Sequence, residues 1–362
     1  MRVAIVCPYA LDVPGGVQGQ SLGLAGALAR RGHEVALLAP GAAGARGGAF
    51  PVVDLGATRA VPANGSVAPL ALGLSVLSRT RGALGRFRPD VVHLEEPFVP
   101  LVGLAGLSVG APLVGTFHRA GAGRGYRSLR PLLARLAARL DGRVAVSLAA
   151  AATLEAVTGR APDEVLHNAV DPERFSAPPA APTGGARRIA FVGRHEQRKG
   201  LEVLLRAFTG LEGDDLELLV VSDGPERARL ERDCADPRVR WLGRIDDDAL
   251  AALLGGAQLF AAPSLGGESF GVVLLEAMAA GCAVVASDLP GYREAGGESA
   301  CYVAPGDPEA LRQGLARLLA EPELVRRLGA AGRARAAEHS FSALAAAYES
   351  CYERALGRGR AR

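Results

Sequence analysis

Short, continuous apolar runs alternate with longer Ala/Leu-rich stretches along most of the chain. The first runs fall at 2–7, 34–39, 90–94, 112–116, 143–147 and 164–167. A second series occupies 188–192, 216–221, 239–242, 258–262, 283–286 and 301–303. Apolar runs without polar alternation predict strands buried on both faces, and the stretches between them are long enough for helices. Two such series predict two doubly wound α/β domains, each a parallel sheet covered by helices on both sides. Helices are expected at 307–320, 322–338 and 341–356 with no strand between them, the last crossing back onto the first domain. The predicted division is a domain over 1–168, a linker over 169–186 and a domain over 187–340. Within the linker, Ser176-Ala177-Pro178-Pro179-Ala180-Ala181-Pro182-Thr183-Gly184-Gly185 suits neither helix nor central strand. Open α/β sheets bind ligands outside the carboxyl ends of their strands, so two facing sheets predict a site in the cleft between domains.

Composition narrows the class. At 362 residues, with 49% hydrophobic and 22% charged residues, the chain has the profile of a soluble globular enzyme. Five scattered cysteines without C-x-x-C spacing read as reduced thiols in a cytoplasmic protein, neither a disulfide framework nor a zinc site. The opening run ends at Pro8 after a strand's length and is read as a strand, not as a signal sequence. Pro97 to Phe117 is uncharged and long enough to span a membrane. Its three prolines and four glycines divide it instead into a buried helix and a strand, so no transmembrane segment is expected. Residues 1–88 hold nine Arg against Asp12, Glu34 and Asp54, and residues 118–143 hold seven Arg against Asp141. A basic amino-terminal half predicts an anionic partner there, a phospholipid surface among the candidates. Aromatic residues do not interleave with these arginines in the way single-strand binders need, which makes nucleic acid the weaker choice.

Candidate chemistry begins with Lys199, the single lysine among 41 basic residues. An ammonium is a compact, rotatable point charge, whereas a guanidinium is a rigid planar fork. Arg194 and Lys199 stand five residues apart just after the apolar run 188–192, an arrangement suited to clamping a diphosphate. A second anion site is expected in Ser264-Leu265-Gly266-Gly267-Glu268-Ser269-Phe270-Gly271-Val272, which follows a strand and opens a helix. Ser269 is the expected cap, and the free N–H groups of Phe270, Gly271 and Val272 would face an anion. Glu268 precedes this helix, and Glu276 lies about 10 Å further along it. That separation suits a nucleotide sugar, with sugar hydroxyls at one carboxylate and ribose hydroxyls at the other.

Together these motifs resemble retaining glycosyltransferases of family four, which have the two-domain GT-B fold. Glu268 and Glu276 match the family's E-x7-E signature, and Arg194 and Lys199 match its R-x4-K pair on the donor diphosphate. Ser222-Asp223-Gly224-Pro225 and His167-Asn168-Ala169-Val170-Asp171 fit further landmarks. Cys7-Pro8-Tyr9 with Asp12 to Gln18, and Asn64-Gly65-Ser66-Val67-Ala68, resemble actinobacterial phosphatidylinositol mannosyltransferases more narrowly. The resemblance implies that Gly16 touches the donor and that Gln18, Asn64, Gly65 and Ser66 line the acceptor's polyol ring. It implies that His118 contacts the donor sugar, and that Arg198 and Ile245 belong to the donor side. Pro69 stands where those enzymes carry a basic residue, and Arg79, Arg81, Arg86 and Arg88 replace a lysine-rich amphipathic helix.

The expected reaction moves a hexose, first choice mannose from GDP-mannose, to an acceptor hydroxyl, first choice phosphatidylinositol. No cofactor or metal is expected, since the histidines have no metal-like spacing and the cations with the helix terminus would serve electrostatically. Alternatives are a family-four enzyme with another nucleotide sugar and a soluble or glycan acceptor, or a non-catalytic sugar-nucleotide-binding protein.

Overall fold

The computed structural model describes residues 1–13, 15–42, 48–63, 66–121, 123, 126, 128–175 and 186–360. The chain divides into two compact units, Met1–Asn168 with Phe341–Arg362, and Ala169–Ser340. Of the expected linker, residues 176–185 lie outside the described residues.

In the first unit, seven strands form a parallel sheet: β1 (Arg2–Val6), β2 (Glu34–Ala39), β3 (Val52–Asp54), β6 (Val91–Glu95), β7 (Leu113–Phe117), β8 (Gly142–Ala145) and β9 (Glu164–Val165). Their order is β3-β2-β1-β6-β7-β8-β9. A separate antiparallel pair, β4 (Arg59–Ala63) and β5 (Ser66–Leu70), stands apart from it. The sequence pattern did not predict β3, β4 or β5. In the second unit, β10 (Arg187–Val192), β11 (Leu216–Val221), β12 (Val239–Gly243), β13 (Leu259–Ala262), β14 (Ala283–Ser287) and β15 (Ala300–Val303) run parallel. Their order is β12-β11-β10-β13-β14-β15. Both sheets are doubly wound α/β, as the apolar runs predict. The run 97–117 becomes a short helix, Val102–Gly106, followed by β7.

The central strands are buried on both faces: Val3, Ala4, Ile5, Val91, Val92, Ile189, Ala190, Leu259 and Phe260 are wholly inaccessible. Each fully buried Leu, Ile or Val contributes roughly 1.5–3 kcal/mol of transfer free energy, so the sheets form the rigid platform of each unit. Strand order reverses between β1 and β6 and between β10 and β13. Those switch points are where a doubly wound sheet opens a crevice at its carboxyl edge.

The C-terminal helix, Phe341–Arg360, covers one face of the first sheet, extending past the expected 341–356. Ala345, Tyr348, Cys351, Tyr352 and Ala355 pack among Ile5, Leu24, Leu28 and Val114. Its docking is also electrostatic. Glu349 takes a bidentate pair from Arg31 at 2.6 and 2.7 Å and a third contact from His33 at 2.7 Å. The Arg31 bonds hold the Glu349 carboxyl down at about 2. No helix among the described residues is long and apolar enough to cross a membrane.

Candidate active site

In the second unit, the chain leaves β10 at Gly193, makes a single 3-10 turn over Gln197–Lys199 and enters the Leu201–Thr209 helix through Gly200. Gly200 has φ +68°, and a Cβ there would sit 1.9 Å from the Pro263 carbonyl oxygen. Only glycine lets the turn lie this close to the segment leaving β13. The Leu265 N–H donates to the Arg198 carbonyl at 2.8 Å, which ties the two segments together.

Lys199 Nζ thereby comes within 2.7 Å of Glu268 Oε1, and Arg198 Nη1 lies 3.2 Å from the same oxygen. Ser264 Oγ donates to that oxygen at 3.0 Å, and the Tyr292 hydroxyl meets Ser264 Oγ at 2.8 Å. Since Ser264 gives its proton to the carboxylate, Tyr292 is the donor to Ser264. Arg194 stands differently: its Nε pairs with Glu196 Oε1 at 3.2 Å, and its side chain is 45% exposed. Arg194 and Lys199 are thus two separately held cations, each on its own glutamate.

The helix after Glu268 starts later than the sequence suggests. It spans Val272–Ala280, and its cap is Gly271, not Ser269. Gly271 adopts φ +108°, and a Cβ would meet the Tyr292 ring at 2.6 Å, so tertiary packing overrides the capping preference of serine. Phe270 is 1% exposed, with its ring edge-on to His339 at 5.6 Å. Its side chain is therefore a core residue.

Glu276 is half-buried on that helix and accepts no hydrogen bond among the described residues. Burial pushes its carboxyl up to about 7, against the pull of the Arg174 guanidinium and with a further push from Asp247. Ile245 is half-buried just past β12, before the Asp247–Gly255 helix that Asp246 caps.

In the first unit, Gly15 caps the Gly16–Arg30 helix in extended conformation, so the Gly15-Gly16 pair opens a helix. A Cβ on Gly16 would touch nothing within 4 Å, leaving open space over this helix start. Gln18 is 7% exposed, and its amide donates to the Ala10 and Val13 carbonyls at 3.2 and 3.0 Å. Its donors are committed to pinning the first loop. Asn64 and Gly65 lie outside the described residues, and Ser66 begins β5.

His118 follows β7, beside two glutamates at the end of β6 that sequence reasoning did not single out. Its Nε2 lies 2.7 Å from Glu95 Oε2, and its backbone N–H donates to Glu96 Oε1 at 2.7 Å. Glu96 adopts φ +46°, an uncommon conformation for a non-glycine residue and one that concentrates at functional sites. A cavity of about 300 Å³ opens here, lined among others by Tyr9, Glu96, Phe98, His118, Arg119 and Tyr126. Arg119 lies over the Tyr126 ring at 4.6 Å. Among the described residues, no three His, Cys, Asp or Glu side chains gather so as to hold a metal ion.

Comparison with known proteins places this arrangement. The description "Glycosyltransferase Family 4" matches residues 14–174, and "Glycosyl transferases group 1" matches residues 186–321. The chain is 37% identical over 364 residues to a phosphatidyl-myo-inositol mannosyltransferase of Mycobacterium leprae, covering 98% of this chain and 96% of that protein. It is 31% identical to a GDP-mannose-dependent alpha-mannosyltransferase of Mycolicibacterium smegmatis, over 81% of each chain. Among solved structures, HepE from Anabaena, crystallised with UDP and glucose, superposes with a TM-score of 0.78 at 19% identity, covering 97% of this chain and 98% of that one. That likeness establishes the fold as GT-B. With two parallel-sheet units and a relative matched along almost its whole length, the chain belongs to glycosyltransferase family four and is a hexosyltransferase.

Proposed function

We propose that the protein is a retaining, metal-independent mannosyltransferase that moves mannose from GDP-mannose to phosphatidylinositol. The observation that carries this reading is the Lys199–Glu268 pair at 2.7 Å beside the Gly271-capped helix start. A cation, a carboxylate and the start of a helix are there held together by packing. The names of the relatives support the choice of mannose, GDP and phosphatidylinositol.

Departure of the diphosphate is the difficult step, because negative charge grows on it as the anomeric carbon becomes cation-like. Lys199, Arg194 and the N–H groups of Phe270, Gly271 and Val272 stabilise that charge, which is the work a metal ion would otherwise do. Glu268 accepts bonds from the sugar hydroxyls, and Arg198 steadies it. His118 and Gly16 act on the hexosyl group from the first unit, and the departing diphosphate takes the acceptor's proton. Gln18 and residues 64–66 belong to the acceptor side. The lipid acceptor fits the Ser75–Phe87 helix, where Arg79, Arg81 and Arg86 are exposed next to the exposed Leu72 and Leu74. Such a surface suits peripheral docking on an anionic membrane from the cytoplasmic side.

The direct test incubates purified protein with GDP-mannose and vesicles containing phosphatidylinositol, with and without EDTA. Formation of an α-linked mannosyl lipid in both conditions is the expected result. Transfer only from another nucleotide sugar, a β-linked product, or abolition by EDTA would each overturn a named part of the reading.

Glu276 gives a pH signature. As the ribose-binding carboxylate, it accepts hydroxyl protons best when ionised, and its carboxyl titrates at about 7. The diphosphodiester of GDP-mannose has no group titrating nearby. Donor affinity should therefore rise with pH through neutrality, about tenfold between pH 6 and 8. Calorimetric titration of wild type and Glu276→Gln checks this, and an equally steep pH dependence in the variant would remove Glu276 from the donor site.

A further inference from the structure

The mechanism proposed above uses His118 but neither of the carboxylates that flank it. Glu95 is 3% exposed and Glu96 6%, and a buried carboxylate persists only where its charge is compensated or its proton retained. Glu95 Oε2 meets the His118 ring at Nε2, while Glu96 meets His118 through its backbone N–H. The other ring nitrogen, Nδ1, has no partner among the described residues, and the ring lines the 300 Å³ cavity. We propose that Glu95 is a positioning residue that holds His118 as an imidazolium, its Nε2–H bonded inward and its Nδ1–H presented to an oxygen of the hexosyl group or acceptor. This rests on the transfer reaction proposed above for its functional half, and on geometry alone for the ion pair.

The tautomer argument makes the second proton matter. A carboxylate at Nε2 always claims the Nε2–H, so a neutral His118 would offer a lone pair at Nδ1. Only the imidazolium makes Nδ1 a donor. Burial by itself pushes the His118 imidazole down, but the Glu95 carboxylate, with help from Glu96, outweighs it and raises the ring above its ordinary value. Burial pushes Glu95 up in the same way, and the charges of His118 and His93 bring it below the usual carboxylate range. The two shifts have opposite signs, as an ion pair requires.

A second layer holds Glu95 in turn. His93 Nε2 lies 3.6 Å from Glu95 Oε1 and 2.8 Å from Thr116 Oγ1, and the Tyr352 hydroxyl lies 2.6 Å from His93 Nδ1. With Tyr352 donating to Nδ1, the His93 Nε2–H faces Thr116 and the Glu95 carboxylate. Thr116 also meets the Tyr348 hydroxyl at 2.8 Å. The C-terminal helix thus supplies two tyrosines to the back of the His118 site.

The other titratable groups around the pair do not compete for the charge. Burial pushes His93 down, and it pushes Tyr348 and Tyr352, on the C-terminal helix, well up. Past β1, burial holds Cys7 up at about 12 and raises Tyr9. Beyond β7, Arg119 is a guanidinium and burial raises Tyr126. Glu96 is raised by burial and would favour the imidazolium further when it ionises. His167 faces His118 across a small cavity that Glu95 also lines.

The test follows the His118 ring by 15N NMR in the full-length protein, its signal assigned among six histidines with a His118→Gln variant. The wild-type ring should titrate clearly above the ordinary value of about 6.5. Glu95→Gln should lower it by one or more, and Glu95→Asp should retain most of the elevation. A wild-type ring at or below the ordinary value overturns the proposal even if no variant folds, and so does an unchanged ring in folded Glu95→Gln. None of this needs substrate, so absence of transfer would sink the mannosyltransferase reading while leaving the ion pair decided. With GDP-mannose and phosphatidylinositol vesicles, the alkaline limb of kcat should move to lower pH in Glu95→Gln, with donor KM little changed. A uniform loss of activity at every pH would mark a merely structural glutamate and overturn the positioning role.

Discussion

Replacing Lys199 with alanine should lower kcat for mannosyl transfer by about a hundred- to a thousandfold, with the fold intact. The magnitude is that of losing one preorganised donor to a developing oxyanion, about 2.7–4 kcal/mol of transition-state stabilisation. The fold survives because Glu268 keeps Arg198 at 3.2 Å and Ser264 at 3.0 Å when the ammonium is gone. A buried charge is therefore not orphaned, and the usual penalty for breaking such a pair is avoided. Lys199→Arg separates charge from shape. The side chain is 19% exposed and already shares its oxygen with Arg198, so a second planar fork cannot reach the same point. Partial recovery, well short of wild type, is the expected result in steady-state assays alongside a thermal melt. Wild-type turnover in a folded Lys199→Ala protein would falsify the assignment.

The doubly wound sheets were legible because their strands are buried on both faces and so read as unbroken Val, Ile, Leu and Ala runs. β3 escaped notice because three residues at a sheet edge leave no periodicity. β4 and β5 escaped because Pro62 and Pro69 interrupt them, and proline inside a run argues against a strand. The counter-signal was available: Asn64-Gly65 stands between the two, and Asn-Gly is the strongest short hairpin marker. Within the site, Lys199, Glu268 and His118 could be singled out from residue type and position after a strand. Their partners could not. Glu95 reaches His118 through the parallel pairing of β6 with β7, in which Glu95 lies opposite Thr116, and that register is a tertiary fact. Ser264 and Tyr292 likewise meet only after β13 and the helix at Pro290–Gly296 are packed. The cap at Gly271 is the same lesson in reverse. Local preference favours Ser269, and the Tyr292 ring decides otherwise.

Gly200→Ala should damage stability and donor binding together. An alanine at φ +68° costs roughly 1–2 kcal/mol in the left-handed region before any contact is counted. Its Cβ would also lie 1.9 Å from the Pro263 carbonyl oxygen, a backbone atom that cannot rotate away. The turn must retreat from the segment after β13, which breaks the Leu265–Arg198 backbone bond and draws Lys199 off Glu268. With about 3 kcal/mol lost in all, a domain of this size should melt roughly 6–12 °C lower. Affinity for GDP-mannose should fall as well, since Arg198 moves with the lysine. Gly16→Ala is the informative contrast. Its Cβ would meet no protein atom within 4 Å, so the melt should not change, and any loss of transfer reports on the ligand alone. If Gly200→Ala melted and bound donor like wild type, the turn would not be held by this contact. The close approach of Lys199 to Glu268 would then have to be explained without it.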